Sequence, residues 1–419
     1  MARRYFGTDG VRGIAGDTLT PELVEQIGKA AVYWADGGAV LVGRDTRGSG
    51  PELEQALAAG IVSAGGEAVL AGILPTPAVA LFTRRLGAVI SASHNPPQYN
   101  GVKLFGAGGT KLSDSDEEQV ESFLDEPAVG GGDVRHDDGV AARYVEHVVD
   151  RFGSDLEGLH IAVDCANGAL YALAPEVFRN LGARVTAIGV EPDGANINVG
   201  VGSTDLSALQ QAVTSSKADL GVAFDGDGDR LLAVDAEGNP VDGDQIIAIL
   251  ALHLGVDLVA VTQTTNLGFH QLMADHGISV VTTDVGDRYV LEALDREGGK
   301  LGGEQSGHVV YLEGHVTGDG LAAALLLCRA LEGRTLAEAA AVMRRFPQVT
   351  ENVAVPKKDV PQSIKDEVER LNQADSGTRV LVRPSGTEPV IRVLAEAATE
   401  EEAADLCGSI STLVRRELG

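Results

Sequence analysis

Short apolar runs alternate with amphipathic stretches along most of the chain. "AVLVGRD" (39–45), "EAVLAGI" (67–73) and "GAVISAS" (87–93) are nearly continuous in apolar residues and end in Gly, Ser or Asp. That is the pattern of strands buried on both faces. "TPELVEQIGKAAVYWA" carries the helical period, with Thr20 placed as N-cap and Pro21 in the first turn. "GPELEQALAAGIVSAGG" predicts a second helix, stopped by its glycines. The alternation resumes at "LHIAVDCANG" (159–168), preceded by the helical "VEHVVDRF". It returns in "DLVAVTQTT" (257–265) and "SVVTTDVGD" (279–287), led by the helix "GDQIIAILALHLG". After "RRFPQVTENVAVP" the texture changes. A charged helix, "QSIKDEVERLNQA", precedes two strands around a Ser-Gly-Thr loop in "TRVLVRPSGTEPVIRVLAEA", and "EEAADLCGSISTLVRREL" closes the chain as a helix. The expected fold class is α/β: three similar sheet-sandwich domains over 1–139, 140–241 and 242–347, then a smaller α+β domain over 348–419. In each unit polar loops follow strand ends, where open α/β sheets place their ligands.

Length agrees, since 419 residues exceed one compact core. No apolar run approaches the roughly 20 residues that cross a bilayer, and "MARRYFGTDG" has no apolar signal region. A cytoplasmic protein with no membrane partner is expected. Cys165, Cys328 and Cys407 lie far apart without metal-site spacing, so they are expected as small buried apolar residues.

Charge changes the picture more. Lys and Arg number 33 against 61 Asp and Glu, a formal net charge of −28. Such a surface repels phosphate backbones and excludes nucleic acid as a partner. "SDSDEEQVESFLDE" and "EPAVGGGDVRHDDG" read as solvated acidic surface. The acidity fits a high-salt cytoplasm, or an ordinary acidic protein rich in Ala, Gly and Val.

The richest chemistry lies in "GVAFDGDGDRLLAVD" (221–235), where Asp225, Asp227 and Asp229 alternate with glycine between two apolar strands. Three crowded carboxylates repel one another unless a cation compensates. Their hard oxygen donors suit Mg²⁺ or Ca²⁺. An EF-hand loop is excluded, because Arg230 and Ala236 stand where it needs Gly and Glu. The alternatives are an Mg²⁺ site and a metal-free acidic turn; the spacing favours Mg²⁺.

An Mg²⁺ held by three carboxylates retains open positions for water or a phosphate oxygen. In "SASHNPPQYNGVKLF" (91–105), Ser93 ends a strand and precedes a proline-stiffened loop. No G-x-S-x-G elbow is present. On extended backbone adjacent side chains point apart, so His94 is not expected to deprotonate Ser93. Ser93 is either a turn serine or a phosphate carrier; the acidic loop favours the carrier, with Ser93 as a fourth metal contact.

Two more loops add binding groups. In "GGEQSGH" (302–308), Glu304 and Ser306 share a face and His308 follows, a set suited to vicinal sugar hydroxyls. In "RPSGTEPVIR" (383–392), Ser385, Gly386 and Thr387 can form a backbone N–H concavity for an anion, flanked by Arg383 and Arg392. Arg12 in "FGTDGVRG" and Arg288 in "VGDRYV" are further candidate contacts for phosphate and sugar. ATP, dinucleotide and zinc-protease motifs are absent.

Taken together, "FGTDGVRG", "SASHNPPQYNGVK", "DGDGDR", "VGDRYV", "GGEQSGH" and "RPSGTEPVIR", in this order, resemble the α-D-phosphohexomutase family, nearest its bacterial glucosamine branch. The resemblance spans Phe6 to beyond Arg392 and implies four domains around a central cleft. It implies Ser93 as phosphoserine, Asp225, Asp227 and Asp229 as Mg²⁺ ligands, and Glu304 and Ser306 as sugar contacts. Arg383, Ser385, Gly386 and Thr387 correspond to a distal phosphate site. Arg12, His94, Lys103 and Arg230 match active-site positions, His94 and Lys103 as alternatives for proton handling. The implied reaction interconverts glucosamine 6-phosphate and glucosamine 1-phosphate through glucosamine 1,6-bisphosphate, in a monomer or homodimer. "INVGVGSTD" departs from the branch pattern at Val201 and Asp205. The rivals are a phosphomannomutase or phosphoglucomutase, and a silent phosphosugar-binding regulator; the latter would have lost Ser93 or an aspartate.

The net charge generates a test. Self-repulsion at −28 is screened within about 3 Å at 1 M salt. Thermal melts across a KCl series are expected to rise with salt; a flat series removes the high-salt reading.

Overall fold

In the computed structural model, residues 4–7, 9–374, 377–385 and 388–419 are described. The first sheet has seven strands in the order Phe6–Gly7, Gly10–Ile14, Tyr99–Phe105, Leu86–Ile90, Ala39–Arg44, Glu67–Ile73, Asp133–His136. The last four run parallel to one another. Helices Pro21–Trp34 and Gly50–Ser63 lie on one face, packing Val24, Ile27, Leu53 and Leu57 against Val40, Val42 and Ile90. Leu41 and Val89 face the other way, toward Val79, Tyr144 and Val148. Alternate residues of each strand thus enter different cores, which is why these strands are apolar throughout. Thr20 caps the first helix as expected, accepting from the Leu23 amide at 3.3 Å.

The second sheet orders Pro240–Val241, Leu231–Asp235, Leu220–Phe224, His160–Asp164, Arg184–Ile188. The third orders Ser279–Thr283, Leu258–Thr262, Leu301–Gly303, Val309–Tyr311. A single apolar core containing Val89, Phe178, Phe224, Val261 and Leu326 joins the first three sheets. The fourth sheet, Gln348–Ala354, Val390–Glu396, Arg379–Pro384, is wholly antiparallel and has its own core under helices Gln362–Ala374 and Glu400–Leu418.

The fourth sheet is fastened to the third by polar bonds. Buried Glu396 accepts from the Leu267 amide at 3.0 Å and from Arg379 Nε at 2.5 Å, and Arg379 donates to the Thr265 carbonyl at 2.6 Å. The three cysteines are buried and free. Among the described residues no helix is long and apolar enough to cross a membrane.

One acidic stretch does more than coat the surface. Within "SDSDEEQVESFLDE", Ser113 and Asp116 form a capping box at the helix Asp114–Ser122. Glu121 accepts the backbone amides of Arg4, Tyr5 and Phe6 at 2.7–2.9 Å, and Glu117 is only 5% exposed. The expectation of plain solvated surface is corrected there: its carboxylates have backbone and arginine partners that the run itself does not show. The strand Asp133–His136, in the second acidic stretch, is exposed along its length.

The two helices over the first sheet cross at glycine. A Cβ on Gly60 would lie 1.9 Å from the Glu25 carbonyl, and one on Gly28 2.4 Å from that of Leu57. Gly60→Ala is therefore expected to destabilise by about 1–3 kcal/mol through forced separation, although alanine is the better helix former. Thermal or urea unfolding checks this; an unchanged or raised midpoint contradicts the close crossing.

Candidate active site

The loops after strands Leu86–Ile90 and Leu220–Phe224 meet. Asp225, Asp227 and Asp229 are all buried, and each offers a carboxylate oxygen within 4.8 Å of the others. Alternating glycines allow this turn: Gly228 is left-handed (φ 74°), and a Cβ on Gly226 would lie 2.6 Å from the Ser93 carbonyl. Burial, with the charges of Asp229 and Asp227, raises the Asp225 carboxyl well above the ordinary carboxylate range. Among the described residues, Asp227 Oδ1 and Asp229 Oδ1 are buried without a hydrogen-bond donor. Hard, closely spaced oxygens with unused lone pairs fit a divalent cation.

Ser93 is 1% exposed, and its hydroxyl donates to Asp225 Oδ2 at 2.5 Å. Its backbone is left-handed (φ 52°) rather than extended. That conformation corrects the expectation for His94, whose Nδ1 stands 3.2 Å from Ser93 Oγ. Burial, then Arg230 and Arg12, push His94 down to about 4, so the imidazole is neutral at physiological pH.

Lys103 is buried among Asp227 (2.8 Å), Asp9 (3.0 Å) and Asp229 (3.2 Å). Burial opposes its charge, but Asp227, Asp229 and Asp9 outweigh that and hold the ammonium well above the ordinary lysine value. Arg230 lies beside the same loop, its amide donating to Asp225 Oδ1 at 3.2 Å, and its buried Nε has no acceptor among the described residues. Arg12 pairs with Asp9 and approaches the Ala92 carbonyl at 3.4 Å.

The third sheet contributes the loop after Leu301–Gly303. Ser306 Oγ donates to Glu304 Oε2 at 3.3 Å, while Glu304 Oε1 accepts from the Gly286 amide at 2.9 Å. "GGEQSGH" and "VGDRYV" are therefore one hydrogen-bonded unit. Two of their residues also have charged partners of their own. His308 is 3% exposed, its Nε2 3.0 Å from Asp287 and its Nδ1 3.7 Å from Asp229. Burial opposes protonation, yet Asp287 and Asp229 raise it to about 10. Its imidazole thus links Asp287 to the acidic loop, while its carbonyl accepts from the Glu304 amide at 3.0 Å. Arg288 turns to the first domain, donating to the Leu112 carbonyl at 3.0 Å and pairing with Asp114 and Glu117. Three acceptors on residues 112–117 hold it.

On the fourth domain, Arg383 and Arg392 are directly opposed across adjacent strands. Like charges so placed repel and favour an anion between them. Burial and Arg392 lower the Arg383 pKa, while Asp284 of the third domain opposes that. Ser385 is buried, and its hydroxyl accepts from the Glu388 amide at 3.2 Å. Gly386 and Thr387 lie outside the described residues.

Four family models, described as phosphoglucomutase/phosphomannomutase α/β/α domains I, II and III and C-terminal domain, match residues 3–128, 142–238, 242–346 and 332–413. A phosphoglucosamine mutase of Pelotomaculum thermopropionicum is 48% identical over 98% of both chains. Another, of Bacillus subtilis, is 45% identical over 99% of both. The chain belongs to the phosphohexomutase family. A solved phosphoglucomutase/phosphomannomutase family protein of Burkholderia thailandensis shares the fold at TM-score 0.84 and 23% identity, covering 98% of this chain and 97% of that one. An Aspergillus fumigatus N-acetylphosphoglucosamine mutase, solved with GlcNAc-6P and magnesium, superposes at TM-score 0.72 and 18% identity, covering 100% and 96%.

In this phosphohexomutase chain, residues that motif reading passed over contact the same two loops. Thr76 Oγ1 donates to Asp227 Oδ2 at 2.6 Å, from a different domain. Arg47, fully buried, donates to the carbonyls of Ser93, Asn95, Pro96 and Tyr99 at 2.6–2.9 Å and pairs with Asp45 at 2.9 Å. Asp45 Oδ2 accepts from Ser91 Oγ, which accepts the Ser93 amide. Their signal was "GRDTRG" at a strand end, charged residues where an apolar run stops. Asp9, Lys111 and Asp287, all half-buried, extend the charge network, with Lys111 bridging Asp9 and Asp287.

Removing one carboxylate tests the cation site. Asp227→Asn is expected to keep its fold and to shift the Mg²⁺ activation midpoint upward by roughly tenfold or more. Metal titration of both proteins decides, and identical curves exclude Asp227 as a ligand.

Proposed function

We propose that the protein is a phosphoglucosamine mutase, an isomerase that moves a phosphoryl group between O6 and O1 of glucosamine phosphate through a phosphoserine. The observation that supports this chemistry is the 2.5 Å approach of Ser93 Oγ to Asp225 inside a buried carboxylate trio. The substrate assignment follows relatives 44–48% identical along nearly the whole chain, all named phosphoglucosamine mutase.

Asp225, Asp227 and Asp229, with an oxygen from Ser93, would hold Mg²⁺, which when bound offsets negative charge on the transferring group. Ser93 gives its phosphoryl group to O1 of glucosamine 6-phosphate: the bond from phosphorus to Oγ breaks, that to O1 forms, and a proton passes from the sugar hydroxyl to Oγ. The resulting 1,6-bisphosphate turns over in the cleft. Ser93 then takes the phosphoryl group from O6, which regains a proton, and glucosamine 1-phosphate leaves. His94, 3.2 Å from Ser93 Oγ, handles the proton at the serine. Lys103 and Arg230 balance the carboxylates, and Arg12 stands at the same end of the cleft.

Glu304 and Ser306 hold ring hydroxyls. Arg383, Ser385 and Arg392, with Gly386 and Thr387, hold the phosphate that is not reacting. The enzyme acts in the cytoplasm, as monomer or homodimer, supplying amino-sugar phosphate for UDP-N-acetylglucosamine synthesis.

Two measurements test this. Ser93→Ala is expected to lose nearly all mutase activity while keeping its melting point, and intact mass of the active parent to show a phosphoryl group on Ser93. An unphosphorylated active parent together with a fully active variant overturns the mechanism. Next, kcat/KM is compared for glucosamine, glucose and mannose 6-phosphates at saturating Mg²⁺ with trace bisphosphate. Glucosamine 6-phosphate is expected to lead; a site that hydrogen-bonds the group at carbon 2 can discriminate by up to about 10⁴. A preference for glucose or mannose reassigns the substrate and leaves the phosphoserine standing.

A further inference from the structure

"INVGVGSTD" (197–205), which belongs to none of the motif loops, reaches the nucleophile in the folded chain. Asn198 Nδ2 donates to the carbonyl of Ser93 at 2.9 Å and to that of Asn95 at 3.1 Å. Both partners are carbonyls, which only accept, so chemistry assigns the amide nitrogen to that side. The same two carbonyls also receive Arg47, at 2.9 and 2.8 Å. One donor comes from the first sheet's domain and the other from the second, so the serine loop is gripped from two bodies. Gly226 of the acidic loop lies against this junction; a Cβ there would meet Asn198 Nδ2 at 3.0 Å.

Backbone strain gathers at the same place. Among the described residues, non-glycine residues with positive φ are Asp36, Ser93, Ala166, Asn167, Asn198, Lys217 and Glu332. Lys217 and Glu332 cap helix C-termini, and Asp36 follows another helix end. The rest form one hydrogen-bonded patch: the Asn198 amide donates to the Ala166 carbonyl at 2.9 Å, and Thr46 Oγ1 donates to that of Asn167 at 2.5 Å. Such conformations cost roughly 1–3 kcal/mol each and persist only where surroundings impose them. Farther along, the Ser203 amide donates to the Phe224 carbonyl at 2.8 Å, at the end of the strand that leads into Asp225.

We infer that Asn198 is a positioning residue for phosphoryl transfer: with Arg47 it holds Ser93 in its left-handed conformation, and through 197–203 it ties the serine to the strand carrying the carboxylates. It acts through the Ser93 and Asn95 carbonyls. The inference rests on Ser93 as the phosphoryl carrier. A lost donor lets the serine loop shift, and displacements of about 1 Å cost phosphoryl transfer up to about 10²-fold.

The test uses full-length Asn198→Gly, which keeps the left-handed backbone without strain but lacks the donor. Asn198→Asp, which keeps the shape but only accepts, is the second variant. Both are expected to lower kcat by about 10- to 100-fold. KM for the sugar phosphate and the Mg²⁺ midpoint should stay within about twofold, the mark of an interaction that acts on the transition state. Transfer from glucose 1,6-bisphosphate to dephosphorylated Ser93, followed by intact mass, should slow in proportion. A glycine variant that turns over like the parent overturns the inference. So does a glycine variant whose loss tracks a raised KM and a lowered melting point, which is what a merely structural residue gives. If the parent carries no phosphoryl group on Ser93, the proposed mechanism fails first, and that result is distinct from either of these.

Discussion

Three carboxylates held within 4.8 Å of one another in a buried loop set the terms for everything around them. Unopposed, that concentration of negative charge is untenable in a medium of low dielectric. Each neighbouring element answers it. Lys103 comes from the first sheet, Arg230 from the loop itself, His308 from the third sheet, and Thr76 caps one oxygen of Asp227. The first three domains therefore meet at a point defined by electrostatics as much as by their shared apolar core. An oxygen-binding cation at that point relieves the same strain.

Ser93 is held by a second, independent device. Arg47 satisfies four carbonyls of the serine loop while its charge is balanced by Asp45 beneath it. A buried guanidinium is costly unless every donor finds an acceptor, so this loop has little freedom to relax. The outcome is a serine whose hydroxyl, neighbouring imidazole and facing carboxylate are organised before substrate arrives. Preorganisation of that kind is the main contribution a protein can make to phosphoryl transfer.

Acidity and anion binding coexist because positive charge is local. With a net charge of −28, the surface as a whole repels phosphate. The opposed Arg383 and Arg392 present two fixed cations on a domain whose own core is separate from the rest. Its attachment through Glu396, Arg379 and the 265–267 backbone is polar.

Strand–helix alternation, the glycine-spaced aspartates and the strand-end serine were legible in the chain because each depends on local rules. Burial on both faces demands continuous apolar runs, and crowded carboxylates demand a cation wherever they occur. Side-chain direction was not legible. Ser93 and His94 meet because Ser93 is left-handed (φ 52°), with its carbonyl receiving Arg47 and Asn198 from distant segments. Arg288 and His308 sit in motifs that read as sugar-facing; in the fold Arg288 also pairs with residues 112–117, and His308 lies between Asp287 and Asp229. Composition and periodicity by themselves determined the layers, the loops that carry chemistry and the kind of ion they suit. Only the tertiary structure decided which charged side chains pair with the carboxylate trio and which tie neighbouring loops together, because that choice depends on buried acceptors that no local window of sequence contains.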